Sequence, residues 1–412
     1  MVKYVDTSWD FRSEDTKTST HSFHNYPAMM IPQIAGRLIA KYGAGADHLL
    51  DPYCGSGTAL VEANMAGINA YGIDINPLAR LIAEVKTTAI DPAILKTTLT
   101  NISNTLYLYS FKSEMDVAVP NFFNMDYWFS PKVSEKLALI KREIDLIESP
   151  QIRNFFLLPF SETVRASSYT RSGEFKLFRM PPKKLQDFDP DVWGIFLSKA
   201  NRNIDGMKSF WKKHTDASVR ILNEDSRHKT SIEDGKIDII VTSPPYGDSQ
   251  TTVAYGQFSR LSLQWIGFDD EIVRKIDKIS LGGKIAPDIE DNLASPSLKH
   301  SLEQIAEKDR KRARQVLSFY IDLDLSLKEF GRALRKGGVG CFVVGNRTVK
   351  NVQLPTDEVL VEMASKFDCE HIETIIRNIP NKRMPSMNSP TNITGELGAT
   401  MTKEYIVVLE KN

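Results

Sequence analysis

Hydrophobic and polar residues alternate in two distinct periods along this chain. From Pro32 to Tyr42 the apolar residues Ile34, Leu38 and Ile39 recur at helical spacing. Asp47-His48-Leu49-Leu50-Asp51 is a short run that fits a buried strand, and it leads straight into Pro52-Tyr53-Cys54-Gly55-Ser56-Gly57-Thr58. Ala59 to Ala66 predicts a helix stopped by Gly67, and Asn69 to Asp74 a second strand. Strand, Gly-rich turn, helix and strand in close succession make a βαβ unit. Residues 90–215 carry several helical stretches and no clear strand run. Strands resume at 219–222 and 237–242. After a polar segment at 267–297, Val316, Tyr320, Leu323, Leu327, Phe330 and Leu334 form the apolar face of a long helix. Gly337-Gly338 ends it, and 339–344, 371–376 and 404–409 predict three more strands. Residues 1–20, rich in Ser, Thr and Asp, read as an arm with little structure of its own.

This is an α/β chain whose sheet is built from both ends. Its organisation reads as 1–89, the arm and a ligand-binding half; 90–215, a mainly helical insertion; and 216–412, the second half of the same domain, with a further insertion at about 267–297.

The chemistry of the first turn is set by its acids. Glycines let a backbone approach a ligand, and the helix N-terminus offers free N–H groups. Asp51 at the strand's end would repel a phosphate but welcome a cationic amino-acid end, such as that of S-adenosylmethionine. Asp74, ending the next strand, stands where an acid accepts hydrogen bonds from ribose hydroxyls. A dinucleotide oxidoreductase would prefer G-x-G-x-x-G, which is not present.

The second motif is Ser243-Pro244-Pro245-Tyr246, which breaks the apolar run 239–242. Two prolines stiffen the loop, and the carboxyl end of a parallel strand is where α/β sheets place ligand chemistry. An exocyclic amine has its lone pair delocalised into the base. Acceptors on its N–H bonds, such as the Ser243 hydroxyl, localise that pair and aim it at a sulfonium methyl. Tyr246 can stack on a base drawn out of the duplex.

These residues resemble the amino-methylating DNA methyltransferases of bacterial restriction–modification systems. Asp51 to Thr58 is similar to their cofactor turn, and Ser243-Pro-Pro-Tyr246 to their catalytic [Ser/Asp/Asn]-Pro-Pro-[Tyr/Phe] loop, whose Ser form is typical of cytosine-N4 enzymes and whose Asp form is more typical of adenine-N6 enzymes. The resemblance implies a Rossmann-like, S-adenosylmethionine-dependent fold with a mostly parallel seven-stranded sheet, one antiparallel strand and helical insertions. It implies a cofactor site made of Asp51, Tyr53, Cys54, Gly55, Ser56, Gly57, Thr58, Asp74 and Ile75, with His24, Tyr26 and Pro27 closing over the methionine end and Asp225 and Ser226 near the adenine. It also implies a late loop near the target base, from Arg377 to Pro385, with Lys382 and Arg383. The cofactor half precedes the catalytic half here, whereas many cytosine-N4 members have the reverse order, and the long 90–215 stretch departs from their compact pattern.

Composition and charge refine this picture in three places. The chain has 412 residues and no net charge, so a DNA surface must come from local clustering. The stretch from Arg165 to Lys184 supplies one, with Arg165, Arg171, Lys176, Arg179 and Lys183 interleaved with Tyr169, Phe175 and Phe178. Lys308 to Arg314 is denser in charge but reads as a solvated helix face, and Trp193 and Trp211 as core residues of the helical stretch. Three widely spaced Cys and seven His show no metal spacing, and a carbon-5 cytosine enzyme's Pro-Cys is missing, so no metal and no covalent intermediate are expected. Met1 to Asp10 lacks the apolar core of a signal peptide and no run is long enough to span a bilayer, so the expected location is the cytoplasm. The reading is a cytosine-N4 DNA methyltransferase acting on double-stranded DNA, paired with a restriction endonuclease. An adenine-N6 enzyme, an RNA amino-methyltransferase and an inactive nucleic-acid-binding subunit are the alternatives.

Overall fold

A computed structural model describes residues 2–111, 116–171, 173–248, 251–289, 293–380, 387–388, 398–399 and 401–412. The main sheet runs Lys3–Val5, Cys369–Asn378, Lys403–Lys411, Leu334–Val344, Ile237–Thr242, His48–Asp51, Asn69–Ile73, Val219–Leu222. Lys403–Lys411 is antiparallel to both its neighbours, and the other pairings are parallel.

Its central strands are apolar on both faces because both faces are covered. Leu50, Ile240, Phe342 and Val407 pack under helices Pro296–Lys308, Arg310–Ala333 and Thr356–Ala364. Their alternates Leu49, Ile239, Val241, Val343 and Ile406 pack under helices Pro32–Tyr42 and Thr58–Met65. Residues between 90 and 215 form helices Pro92–Tyr109, Pro131–Asp145, Pro150–Ser167 and Val192–Trp211. Their core is continuous with Leu78 and Ile82 of helix Pro77–Thr87 and with Phe258 and Leu261 of helix Tyr255–Ile266.

Four expectations change. The sheet has eight strands rather than seven, because the N-terminal residues, expected as an arm, add Lys3–Val5 to the edge. This segment is anchored: Trp9 is buried under the Arg37 guanidinium, 4.2 Å from its ring, and Asp10 accepts the Asn378 N–H at 2.8 Å. The long helix ends at Ala333, before the glycines, and Gly337 (φ 70°) lies in the irregular start of the next strand. Lys308 to Arg314 is not one helix face. Asp309 breaks it, Arg310 pairs with Asp288, Arg312 with Asp248, and Arg314 donates to the Ala286 carbonyl. Trp211 is exposed at the end of its helix instead of lying in the core.

The turn after His48–Asp51 is tight. Gly57 has φ 76°, and a Cβ there would lie 2.8 Å from the Ala83 Cβ. Gly57→Val should therefore combine a strained backbone with overpacking and cost about 2–4 kcal/mol of unfolding free energy. Urea denaturation measures this, and an unchanged midpoint would show that the turn has room to spare.

Candidate functional site

The cofactor turn and the catalytic loop meet because their strands are neighbours. His48–Asp51 and Ile237–Thr242 pair in parallel, Leu49 with Ile239 and Leu50 with Ile240. Both therefore deliver their next residues to the same carboxyl edge of the sheet. The Thr242 hydroxyl donates to the Asp51 carboxylate at 2.7 Å, and the Tyr53 N–H donates to the same oxygen at 3.3 Å.

A cleft opens over this edge. Of the residues expected to bind cofactor, Tyr26, Pro27, Asp51, Tyr53, Cys54, Gly55, Ser56, Thr58, Asp74, Ile75, Asp225 and Ser226 line it, together with Ser243 and Pro245 of the catalytic loop. Two expected residues stand behind it. Gly57 caps the following helix and packs on Ala83. His24 is buried, with its Nε2 3.0 Å from Ser161 Oγ and its ring edge-on to Phe258. Burial pushes the His24 pKa down to about 4, so it is a neutral core residue.

Of the acids, Asp51 is buried and Asp74 and Asp225 are half-buried. Burial pushes the Asp51 carboxyl up to about 7, against the hydrogen bonds from Thr242 and Tyr53, and the charge of Asp74 adds to the rise. Burial also pushes Asp74 up to about 6, although it accepts N–H bonds from Asn76 at 2.7 Å and Gly55 at 3.0 Å. A cationic ligand end at Asp51 and hydroxyl donors at Asp74 would make up for the water that both carboxylates lack. The donor set therefore fits the ammonium and ribose of S-adenosylmethionine. For Asp225 burial acts upward, but the Arg227 guanidinium, donating to both carboxylate oxygens, holds it below the usual range.

Sequence reasoning missed part of the wall. Tyr255 stacks on Tyr26, with ring centroids 5.7 Å apart and planes 22° apart. Asn76 donates to the hydroxyls of Tyr26 at 3.0 Å and Ser259 at 2.8 Å. Met29, Met30, Arg227 and residues Ile279 to Leu281 complete the lining. Asn76-Pro77 was readable as a helix start. Nothing local marks Tyr255 or Ile279, which open and close the two helices, Tyr255–Ile266 and Asp270–Ile279, that follow the catalytic loop.

A second cavity adjoins the first and shares Met29, Met30, Ser243, Pro245 and Tyr255 with it. Pro244, Tyr246, Arg377 and Glu404 are also in its lining. The Ser243 hydroxyl donates to the Val343 carbonyl at 3.0 Å. The Tyr246 hydroxyl donates to Glu404 at 3.0 Å and lies 3.4 Å from Ser243 Oγ.

The basic stretch folds as a hairpin. The Arg171 N–H donates to the Phe178 carbonyl and the Met180 N–H to the Tyr169 carbonyl, both at 2.8 Å. Arg171 is exposed, Arg179 lies over the rings of Tyr127 (4.2 Å) and Tyr169 (5.3 Å), Lys176 is half-buried, and Lys183 is exposed on the short helix Pro182–Leu185. Arg165 differs. Its guanidinium lies over Phe258, donates to the carbonyls of Phe258, Glu174 and Phe175, and has its pKa lowered to about 10 by burial. It ties the hairpin to the helix Tyr255–Ile266. Lys382 and Arg383 lie outside the described residues. Among the described residues no cluster of three or more metal-ligating side chains occurs, and no helix is long and apolar enough to cross a membrane.

Comparison with known proteins shows a family. The family model for DNA methylases of the N6/N4 type matches residues 2–84. The chain is 42% identical to the Type II methyltransferase M.MvaI of Kocuria varians, over 97% of this chain and 93% of that protein. It is 34% identical to the Type II methyltransferase M.MjaII of Methanocaldococcus jannaschii, over 38% of this chain and 31% of that protein. The Type II methyltransferase M.BsoBI of Geobacillus stearothermophilus is 24% identical over 64% of this chain and 56% of its own length.

The raised acids give a pH dependence with a defined sign. A cation beside Asp51 favours the carboxylate, so binding lowers a pKa that stands at about 7 in the free protein and expels protons. Affinity for S-adenosylmethionine should rise with pH through this range and level off above it, changing roughly tenfold between about pH 5.5 and 7.5. Calorimetry in buffers of different ionisation enthalpy measures both effects. A pH-independent affinity with no proton release would remove Asp51 from contact with the cationic end.

Proposed function

This chain belongs to the amino-methylating DNA methyltransferases, a family that uses S-adenosylmethionine, and we propose that it methylates the exocyclic N4 amine of cytosine in duplex DNA. DNA methylation of the restriction–modification type is its activity, and the choice of cytosine is our inference from the Ser form of the catalytic loop. The observation that carries the reading is the place of Ser243, which lines the cleft expected to hold the cofactor and the adjoining cavity alike.

The cofactor supplies an electrophilic methyl on a sulfonium, so no enzyme nucleophile is needed. Ser243 gives its own proton to the Val343 carbonyl, which leaves oxygen lone pairs to accept an amine N–H. That bond localises the nitrogen lone pair and turns it toward the first cleft. The Tyr246 ring offers a stacking surface for a flipped base, repaying part of the stacking lost in the duplex. The hairpin carrying Arg171, Lys176 and Arg179, with Phe175 and Phe178 exposed beside them, together with Lys183 on the short helix after it, is our candidate for the DNA backbone contact.

Three measurements test these roles. Ser243→Ala should lower methyl transfer on the order of 10²–10³-fold while leaving cofactor affinity nearly unchanged, and wild-type turnover would take Ser243 out of the reaction. Charge reversal at Arg171 and Arg179 should weaken DNA binding and flatten the log K against log salt plot by roughly one unit for each phosphate left unneutralised. An unchanged plot returns the hairpin to solvent. Nucleoside analysis of DNA incubated with labelled cofactor should give N4-methylcytosine, and N6-methyladenine in its place would overturn the choice of base.

A further inference from the structure

Glu404 belongs to neither sequence motif, yet its carboxylate reaches the catalytic loop. It opens the strand Lys403–Lys411 and pairs in register with Arg377 on the neighbouring strand. One carboxylate oxygen accepts the Tyr246 hydroxyl at 3.0 Å, and the other is held by the Arg377 guanidinium. Arg377 is itself fixed, donating to the Trp9 carbonyl at 2.8 Å and the Asp10 carbonyl at 3.3 Å. The carboxylate therefore has one orientation, set by the N-terminal segment.

We propose that Glu404 is a positioning residue for methyl transfer: by drawing the Tyr246 proton to itself it keeps the Ser243 oxygen free to accept the substrate amine. The proposal rests on the reading of Ser243 given above. The phenolic O–H donates to Glu404 at 3.0 Å, and the Ser243 hydroxyl, 3.4 Å from the phenolic oxygen, faces it as a donor. The phenolic proton goes to the carboxylate rather than to Ser243 Oγ, since a hydrogen bond to a charged acceptor is shorter and stronger than one to a neutral hydroxyl. The serine proton is already committed to Val343. All hydrogen-bond directions in the loop thus run away from the face that meets the amine. With Glu404 unable to accept, the phenol would donate to Ser243 Oγ and compete with the amine for its lone pairs.

Glu404→Gln reverses the chain with almost no change of shape. Arg377 is a donor only, so the amide oxygen must turn to it and the amide NH2 to Tyr246. The phenol then accepts from the amide and donates to Ser243. Tyr246→Phe removes the competing proton and keeps the ring.

The test is methyl transfer to duplex DNA by the full-length wild type, Glu404→Gln, Tyr246→Phe and the double variant, with cofactor affinity and thermal unfolding measured on each. The expected result is a loss of kcat in Glu404→Gln on the order of 10–100-fold, with KM for DNA and cofactor affinity within about threefold of wild type. Adding Tyr246→Phe to Glu404→Gln should recover at least about fivefold of the kcat that Glu404→Gln loses. A residue that only props the loop would give no such recovery. Near-wild-type kcat in Glu404→Gln, or a double variant no faster than Glu404→Gln, overturns the proposal. Should Glu404→Gln fail to fold, Glu404→Asp, whose carboxylate is one methylene short of Tyr246, takes its place in the same comparison: a lowered kcat that Tyr246→Phe restores supports the proposal, and no loss or no recovery overturns it. No methyl incorporation by the wild type, with cofactor still bound, would instead sink the methyltransferase reading on which all of this stands.

Discussion

The hydrogen bond from the Thr242 hydroxyl to the Asp51 carboxylate holds the site together. It joins residues 191 positions apart, and its 2.7 Å length ties the end of one central strand to the end of its parallel neighbour. On one side Asp51 opens the glycine turn, and on the other Thr242 is followed at once by Ser243. The acid expected to meet the cofactor and the hydroxyl proposed for catalysis are therefore fixed by the sheet rather than by flexible loops, as an in-line displacement requires. The loop is held at its far end as well, where buried Asp248 pairs with Arg347 at 3.0 Å and Arg312 at 3.1 Å.

This arrangement keeps two carboxylates out of water in one cleft. Asp51 and Asp74 are both pushed up by burial, and the charge of Asp74 makes Asp51 harder still to ionise. The fold tolerates the cost because the backbone N–H groups of Tyr53, Gly55 and Asn76 point at these acids. A ligand with a cationic end and vicinal hydroxyls relieves the remainder. The same burial would disfavour a phosphate-bearing dinucleotide, which would add like charge to a region short of water.

Local signals were legible in the sequence wherever one segment carried its own reason to fold. The strand at 237–242 and the helix at 32–42 follow from apolar period and bounding turn residues, and the structure has them at those limits. The turn and the catalytic loop were readable because proline, glycine and acid at fixed spacing have few other uses. What was not legible depends on partners distant in the chain. Lys3–Val5 is a strand only because the edge of Cys369–Asn378 is there to pair with it. Leu334 fits the helical face of the preceding segment, but sheet pairing with Ile237 claims it. Tyr255 and Glu404 carry no motif, and their roles arise from the rings and hydroxyls they happen to meet. Arg165 shows the converse. Composition placed it among DNA contacts, while burial over Phe258 assigns it to carbonyl groups of its own chain.

Arg165 also explains how the helical stretch serves a site built on the sheet. It sits on helix Pro150–Ser167, one turn after Glu162. Glu162 is buried between Lys199 and Arg202 and accepts the Asn25 N–H at 3.2 Å, while Arg202 donates to the Phe23 carbonyl at 2.9 Å. These contacts fix the segment that presents Tyr26 to the cofactor cleft. Three residues further on, Arg165 grips the backbone of the basic hairpin through Glu174 and Phe175. One rigid helix thus carries the anchor of the cofactor wall and the anchor of the proposed DNA contact on successive turns. The spacing between the hairpin and the segment that presents Tyr26 is then set by helix geometry, not by the long connections that separate these residues in sequence.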